Sequence, residues 1–260
     1  MRLAKQAVRL TSWLGVLVML WLAGLPLVAI ALEFRPPRRG IPGRREGGGT
    51  RDPLACVQGN PARLTAILPQ TNLGLTTAEY PRFFWYLPQT RAKTAEFSLY
   101  QVNDRVDNLT PRQIDEKLKD QIPVYRSQFD LTGTAGVASL SLPKNATLPP
   151  LVAGRDYRWS VAIICDPNNR QRDIKVDGWV QRVAPAAALS EQLVRATPSD
   201  RLRLYASNGY WFDTLSTLAE LRCSNPTDTR LTASWTQLMR LEGVRLDEIA
   251  GQPLIQQCKK

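Results

Sequence analysis

The 260-residue sequence contains no histidine. That absence removes the commonest general base and the commonest nitrogen ligand for zinc or iron. Cysteine is scarce as well. Cys56, Cys165, Cys223 and Cys258 are the whole set, and no two stand in a C-x-x-C spacing, so neither a thiolate metal site nor a cofactor is expected. Acidic residues are outnumbered, 23 against 34 Lys and Arg, which gives a formal net charge of +11. The surplus is uneven: nine basic and three acidic residues fall within the first 52, which leaves the remainder at only +5. A nucleic-acid footprint needs clustered cations on one face, none is visible in that remainder, and no nucleic acid partner is expected.

What is present begins with 43% hydrophobic residues, enough for at least one core and for two modest domains. Arg2, Lys5 and Arg9 precede an uninterrupted apolar run over 13–25, the length of a signal-peptide core. Pro26 breaks the run, and Ala29-Ile30-Ala31 reads as a signal-peptidase site, which predicts cleavage between Ala31 and Leu32. A second reading takes residues 10–32 as one retained transmembrane helix. Five arginines just beyond the run outnumber the three basic residues before it, so the positive-inside rule does not decide for export. Either way residues 1–31 are expected to be a signal peptide or N-terminal membrane anchor, and the protein periplasmic or in the cell envelope.

Residues 32–53 are rich in Pro, Gly and Arg and nearly free of apolar side chains, which predicts a flexible linker. The run from Gly43 to Thr50 mimics a phosphate-binding loop, but Gly49 stands where the lysine must be and no strand or helix flanks it. Arg35, Arg38, Arg39, Arg44, Arg45 and Arg51 are candidates for contact with anionic lipid or wall polymer. Each basic residue near such a surface contributes about 1 kcal/mol, screened by salt.

Residues 54–184 are expected to form one β domain, and from 64 to 183 the apolar pattern has period 2. Tyr125, Phe129 and Leu131 alternate with Arg126, Gln128 and Asp130, and Tyr157, Trp159, Val161 and Ile163 alternate with Arg158, Ser160 and Ala162. Further strands are predicted at 64–68, 82–87, 95–102, 137–142 and 174–183, so about seven strands suggest an immunoglobulin-like β-sandwich. Residues 103–121 interrupt the series. Thr110 caps and Pro111 opens a short polar helix there, an excursion whose charges, Asp115 and Lys119 among them, read as a solvated face.

From 185 to 260 the period becomes helical, with Leu231, Trp235 and Leu238 at i, i+4 and i+7. Tyr205, Gly209, Trp211, Leu215, Leu218 and Pro226 fall close to the spacing of a tetratricopeptide-like helix-turn-helix. The fold class expected is therefore β then α: the sandwich, followed by a small helical domain. Four cysteines in an exported chain favour two disulfides, and of the three pairings open the expected one joins Cys56 to Cys165 and Cys223 to Cys258.

The string Gly40-Ile41-Pro42-Gly43-Arg44-Arg45-Glu46-Gly47-Gly48-Gly49-Thr50-Arg51, then Cys56, Leu64-Thr65-Ala66-Ile67-Leu68-Pro69 and Thr71-Asn72-Leu73-Gly74-Leu75-Thr76, resembles the cyanobacterial family known as domain of unknown function 928. So do Phe83-Phe84-Trp85-Tyr86-Leu87-Pro88, Tyr157-Arg158-Trp159, Cys165-Asp166-Pro167, Gly178-Trp179 and Trp211-Phe212-Asp213-Thr214-Leu215. The resemblance implies export to a cyanobacterial envelope and carries no activity.

Asp213 with Glu220, or Asp166 with Asp173, are the imaginable acid–base carboxylate pairs. Asp166 precedes a proline in a turn and Asp213 opens a helix, both ordinary structural places for Asp, so no catalytic residue is named and no enzyme is expected. The leading expectation is a non-enzymatic interaction or scaffold module with an envelope protein as partner. A glycan hydrolase working through carboxylates alone requires two of them facing one cleft. A carbohydrate-binding module requires Trp85, Trp159 and Trp179 exposed in a row.

Overall fold

The computed structural model describes residues 32–47, 56–58, 63–103, 106–145 and 148–255. Residues 1–31, the expected signal peptide or anchor, lie outside them. Among the described residues no helix is long and apolar enough to cross a membrane.

In chain order the strands are β1 Val57–Gln58, β2 Thr65–Ala66, β3 Leu73–Thr76, β4 Arg82–Leu87, β5 Gln89–Thr90, β6 Thr94–Val102, β7 Tyr125–Asp130, β8 Gly136–Ser141, β9 Asp156–Ile164 and β10 Ile174–Arg182. The helices are α1 Pro111–Leu118, α2 Ala187–Arg195, α3 Pro198–Ser207, α4 Trp211–Ser224 and α5 Thr229–Arg240. One sheet has the order β2-β4-β8 and a second the order β3-β10-β9-β6-β7, while β1 and β5 form a small ribbon. All pairs are antiparallel except β3 with β10. The fold is thus mixed β and α, with ten strands where about seven were expected; the extra ones, β1, β3 and β5, are two to four residues long and too short to leave a periodic trace.

β9 buries Tyr157, Trp159, Val161 and Ile163 against the facing sheet and turns Asp156, Arg158 and Ser160 outward, as its alternation requires. β4 differs, because Phe83 to Leu87 are buried without alternation. The reason is a layer on each side. Phe83 packs on Phe97 and Trp159 of the larger sheet at ring distances of 5.0 and 5.3 Å, while Phe84 faces Trp235 of α5 at 6.5 Å. A strand covered on both faces reads as a continuous apolar run.

The helices share this core. Phe212 of α4 meets Phe83 at 5.2 Å, and one continuous apolar cluster runs from Phe97 through Phe84 to Trp235. Trp211, Phe212, Leu215, Leu218 and Trp235 are all fully buried. At about 2 kcal/mol for each such side chain, their burial is comparable to the roughly 5–15 kcal/mol that holds a whole domain. Gly209, at φ +76°, makes the turn between α3 and α4, and a side chain there would strike the Arg35 carbonyl.

Residues 32–47 are laid along the body as a strap, where their composition predicts a flexible linker. Leu32 and Phe34 enter the main core, with the Phe34 ring 4.8 Å from Trp211. Main-chain bonds tie Ile41 to Thr71, Gly47 to Leu64 and Arg45 to Ala66. A few well-placed apolar side chains and pairing with the β2 edge do what overall composition conceals. Ile41 joins Leu73, Val102, Val106, Ile114, Leu118 and Trp179 in a second, smaller core on the outer face of the five-stranded sheet. α1 covers this core as the expected surface excursion, opened by Pro111 and capped by a reciprocal Thr110–Gln113 box.

Candidate functional site

The polar features of the outer face are built by β9, β10, α1 and the strap. Arg158 of β9, with a side chain only 13% exposed, reaches Asp115 of α1 at 2.6 Å and Asp177 of β10 at 3.0 Å. Arg44 of the strap donates to Asp115 at 2.7 Å through its guanidinium and to Asp177 at 3.1 Å through its main-chain N–H. Burial alone pulls the Arg158 guanidinium down, but Asp177 and Asp115 together outweigh it and hold it above its ordinary value. A cleft of about 310 Å³ opens beside this cluster, lined by Tyr100, Lys119, Ser160 and Lys175.

A second cluster stands at the start of β9. Arg39 donates to Asp156 and Asp107 through two nitrogens each way, at 2.5–3.0 Å, and these bonds hold its guanidinium above the ordinary range. The adjoining cleft is about 440 Å³ and takes in Asn103, Arg155 and Gln181. In both clusters arginines of the strap meet carboxylates far away in sequence, which fastens the strap and α1 to the sheet.

The third feature is a cleft of about 230 Å³ where α4 meets the sandwich, lined by Tyr80, Arg82, Tyr205, Asp213 and Glu220. Asp213, in the first turn of α4, accepts from the Thr77 main-chain N–H at 3.1 Å and the Thr77 hydroxyl at 2.6 Å. Burial pushes its carboxyl up, against the opposing pull of the bonds from Thr77 and Thr76. Glu220 lies two turns further along the same helix, a rise of about 10 Å, and stands 3.7 Å from Arg82.

The imagined pair Asp213 and Glu220 is thus brought to one cleft, although Asp213 is already engaged in fastening α4 to the loop after β3. Asp166 instead accepts from Asn168 N–H in a tight turn, and Asp173 is buried against Arg170 at 2.6 Å. Trp85, Trp159 and Trp179 are at most 1% exposed, which rules out the carbohydrate-binding row proposed for them. Trp179 faces outward from the sheet but is covered by the strap, to which its Nε1 donates at the Pro42 carbonyl.

Of the arginines expected at an anionic surface, Arg39 and Arg44 hold carboxylates, Arg45 donates to the carbonyls of Leu68 and Val244, and Arg35 pairs with Glu33. Arg38 is exposed and Arg51 lies outside the described residues. Cys56 and Cys165 form a disulfide, as expected. Cys223 is also disulfide-bonded, while Cys258, the partner expected for it, lies outside the described residues.

Sequence reasoning overlooked Arg158 and read Asp115 as solvated. The signal available was that Ile114 and Leu118, four apart, mark the inner face of α1, and Asp115 borders that face. No curated protein and no solved structure matches the chain. A family model matches residues 46–254, which takes in both sheets and all five helices, and the chain belongs to the family described as Domain of Unknown Function (DUF928).

Proposed function

We propose that the chain is an exported, disulfide-stabilised module that binds another envelope protein and is not an enzyme. The observation that carries the reading is the Cys56–Cys165 bridge, since such bonds persist in oxidising compartments and are rare in the reducing cytosol. Binding over turnover is supported by the outer face, where Arg39, Arg44 and Arg158 engage Asp107, Asp156, Asp115 and Asp177 in fixed geometry. Arg35, Arg38 and Arg44 remain exposed and are the side chains through which anionic lipid or wall polymer would be met. An immunoglobulin-like sandwich is supported by strand order: β2, β4 and β8 take the A, B and E places, and β10, β9, β6 and β7 the G, F, C and C′ places. A tetratricopeptide-like reading of α3, Gly209 and α4 rests on their spacing.

The test is the intact mass of the protein isolated from its host, before and after reduction and thiol alkylation. A chain beginning at Leu32 with no alkylatable thiol before reduction supports export. A full-length chain with four free thiols overturns it.

A carboxylate-dependent glycan hydrolase is the second reading, favoured by one observation: Asp213, pushed up by burial, shares a cleft with Glu220. Release of reducing ends from wall glycan that is lost in both Asp213→Asn and Glu220→Gln, with the fold retained, supports it. A wild-type chain that releases none sinks it.

A further inference from the structure

Of the four edges of the two larger sheets, three are short or covered by the chain itself. β2 is met by Glu46 of the strap. β8 is met by the C-terminal segment, where Val137 N donates to Pro253 O at 2.7 Å and Ile255 N to Val137 O at 2.8 Å. β3 is four residues long. β7 is different: its six residues end the five-stranded sheet, pair with β6 on one side, and among the described residues receive no main-chain bond on the other. No lysine, proline or bulge within β7 blunts this edge.

Strand geometry determines which groups are free. Leu131 N donates to Lys93 O at 2.8 Å, so the odd-numbered residues of β7 aim their N–H and C=O at β6. Those of Arg126, Gln128 and Asp130 therefore point to the open side, and the three side chains stand exposed on the outer face. A strand added there in antiparallel sense must oppose them with residues whose groups face back. If that strand is β7 of a second copy, a two-fold axis through Gln128 sets Gln128 opposite Gln128 and Arg126 opposite Asp130 twice over, with all of the strand but Tyr125 overlapped. An axis at Arg126 or Asp130 instead sets like charges together, one at Ser127 opposes Arg126 with Gln128, and one at Phe129 opposes Asp130 with Gln128 and also shortens the overlap.

Both charges are available for this pairing. Among the described residues neither Arg126 nor Asp130 forms an ion pair. Glu96, which Arg126 feels across the sheet, is engaged by Gln128 at 3.0 Å and by Arg170 at 3.4 Å. Immediately before the strand, Ile122 is 89% and Val124 38% exposed, an apolar margin that a second copy would shield.

We propose that two copies of this chain associate through β7, antiparallel about a two-fold axis at Gln128, with reciprocal Arg126–Asp130 pairs joining the two sheets into one. The inference rests on the sheet edge alone and does not depend on export or on the absence of catalysis. A six-residue edge buries less than the roughly 1,600 Å² of a standard interface, so the association is weak and concentration-dependent.

Sedimentation equilibrium of the full chain tests it. The expected result is a weight-average mass that climbs towards twice the monomer with concentration. Arg126→Asp and Asp130→Arg should each weaken association about tenfold or more, because the two-fold axis makes every substitution count twice. The combined Arg126→Asp/Asp130→Arg chain should recover the wild-type curve. Gln128→Pro, which removes an N–H from the open side only, should leave a folded monomer. A wild-type mass that stays monomeric throughout overturns the proposal, as does a dimer indifferent to both single reversals or one that the double reversal fails to restore. Should Gln128→Pro not fold, the charge reversals decide alone.

Discussion

Trp211 donates its indole N–H to the carbonyl of Ile67, 144 residues earlier, at 2.8 Å in the buried interior. Trp211 opens α4 and Ile67 follows β2, so this bond crosses from the helices to the sandwich. Replacing Trp211 with Phe leaves the carbonyl without a partner, at about 1–3 kcal/mol, on top of the loss of ring volume. Trp159 is equally buried, but among the described residues its Nε1 has no partner to lose. Urea unfolding should therefore find W211F less stable than W159F by about 1–2 kcal/mol. Because one core serves both halves, far-ultraviolet and tryptophan signals should fall in a single transition. Equal destabilisation, or two separated transitions, would count against a shared core.

The Cys56–Cys165 bridge closes a 109-residue separation between the segment before β1 and the end of β9. Chain-entropy reasoning assigns a loop of that size about 4–5 kcal/mol, and measured bridges usually deliver about 2–4. Cys56→Ser/Cys165→Ser should lower the urea midpoint accordingly and leave the near-ultraviolet spectrum of the remaining core intact. A midpoint unchanged by the double substitution would mean that the linked segments hold together without the bond.

Legibility in the sequence followed the range of the interactions. β7 and β9 are readable because Tyr125 and Phe129, or Trp159 and Val161, alternate locally, and α1 is readable from Thr110 and Pro111 at its start. The strap is not. Leu32, Phe34 and Ile41 are its three buried side chains in sixteen residues, without a period, and Phe34 packs on Trp211 far along the chain. Arg39 illustrates the same limit for charge, since its carboxylates lie 68 and 117 residues away. The site is less legible still: Asp115 and Arg158 acquire meaning only when α1 folds back over β9.

Arg158 and Asp177 form the most buried ion pair of the outer face, with side chains 13% and 6% exposed. Arg158→Met strands Asp177 with only the Arg44 main-chain N–H, and breaking one side of a buried pair costs about 3–5 kcal/mol. Asp115 is more than a third exposed, so Asp115→Asn should cost much less, on the order of 0.5–1 kcal/mol. Its effect should instead be local, with hydrogen exchange accelerated at Ile114 and Leu118 as α1 loosens. Similar losses for both variants would place the weight on α1 docking and not on the buried charge.

Asp213 gives the pH dependence a definite sign. Its carboxyl is pushed up in the folded chain by burial and stands near the ordinary value of 3.8 in the unfolded one. Below 3.8 both states hold the proton. Between that value and the raised folded one only the native state holds it, so stability falls as pH rises through the window and then levels off. Asp213→Asn removes this component, so the stability of wild type minus variant should decline from about pH 4 upward. Thr77→Ala, by deleting the hydroxyl that donates at 2.6 Å, should raise the carboxyl further and extend the decline to higher pH. A difference that grows with pH would mean the opposite balance, in which the bonds from Thr77 and Thr76 outweigh burial and Asp213 acts as a charged latch. In that case the hydrolase reading, which rests on that raised carboxyl, would lose its physical basis.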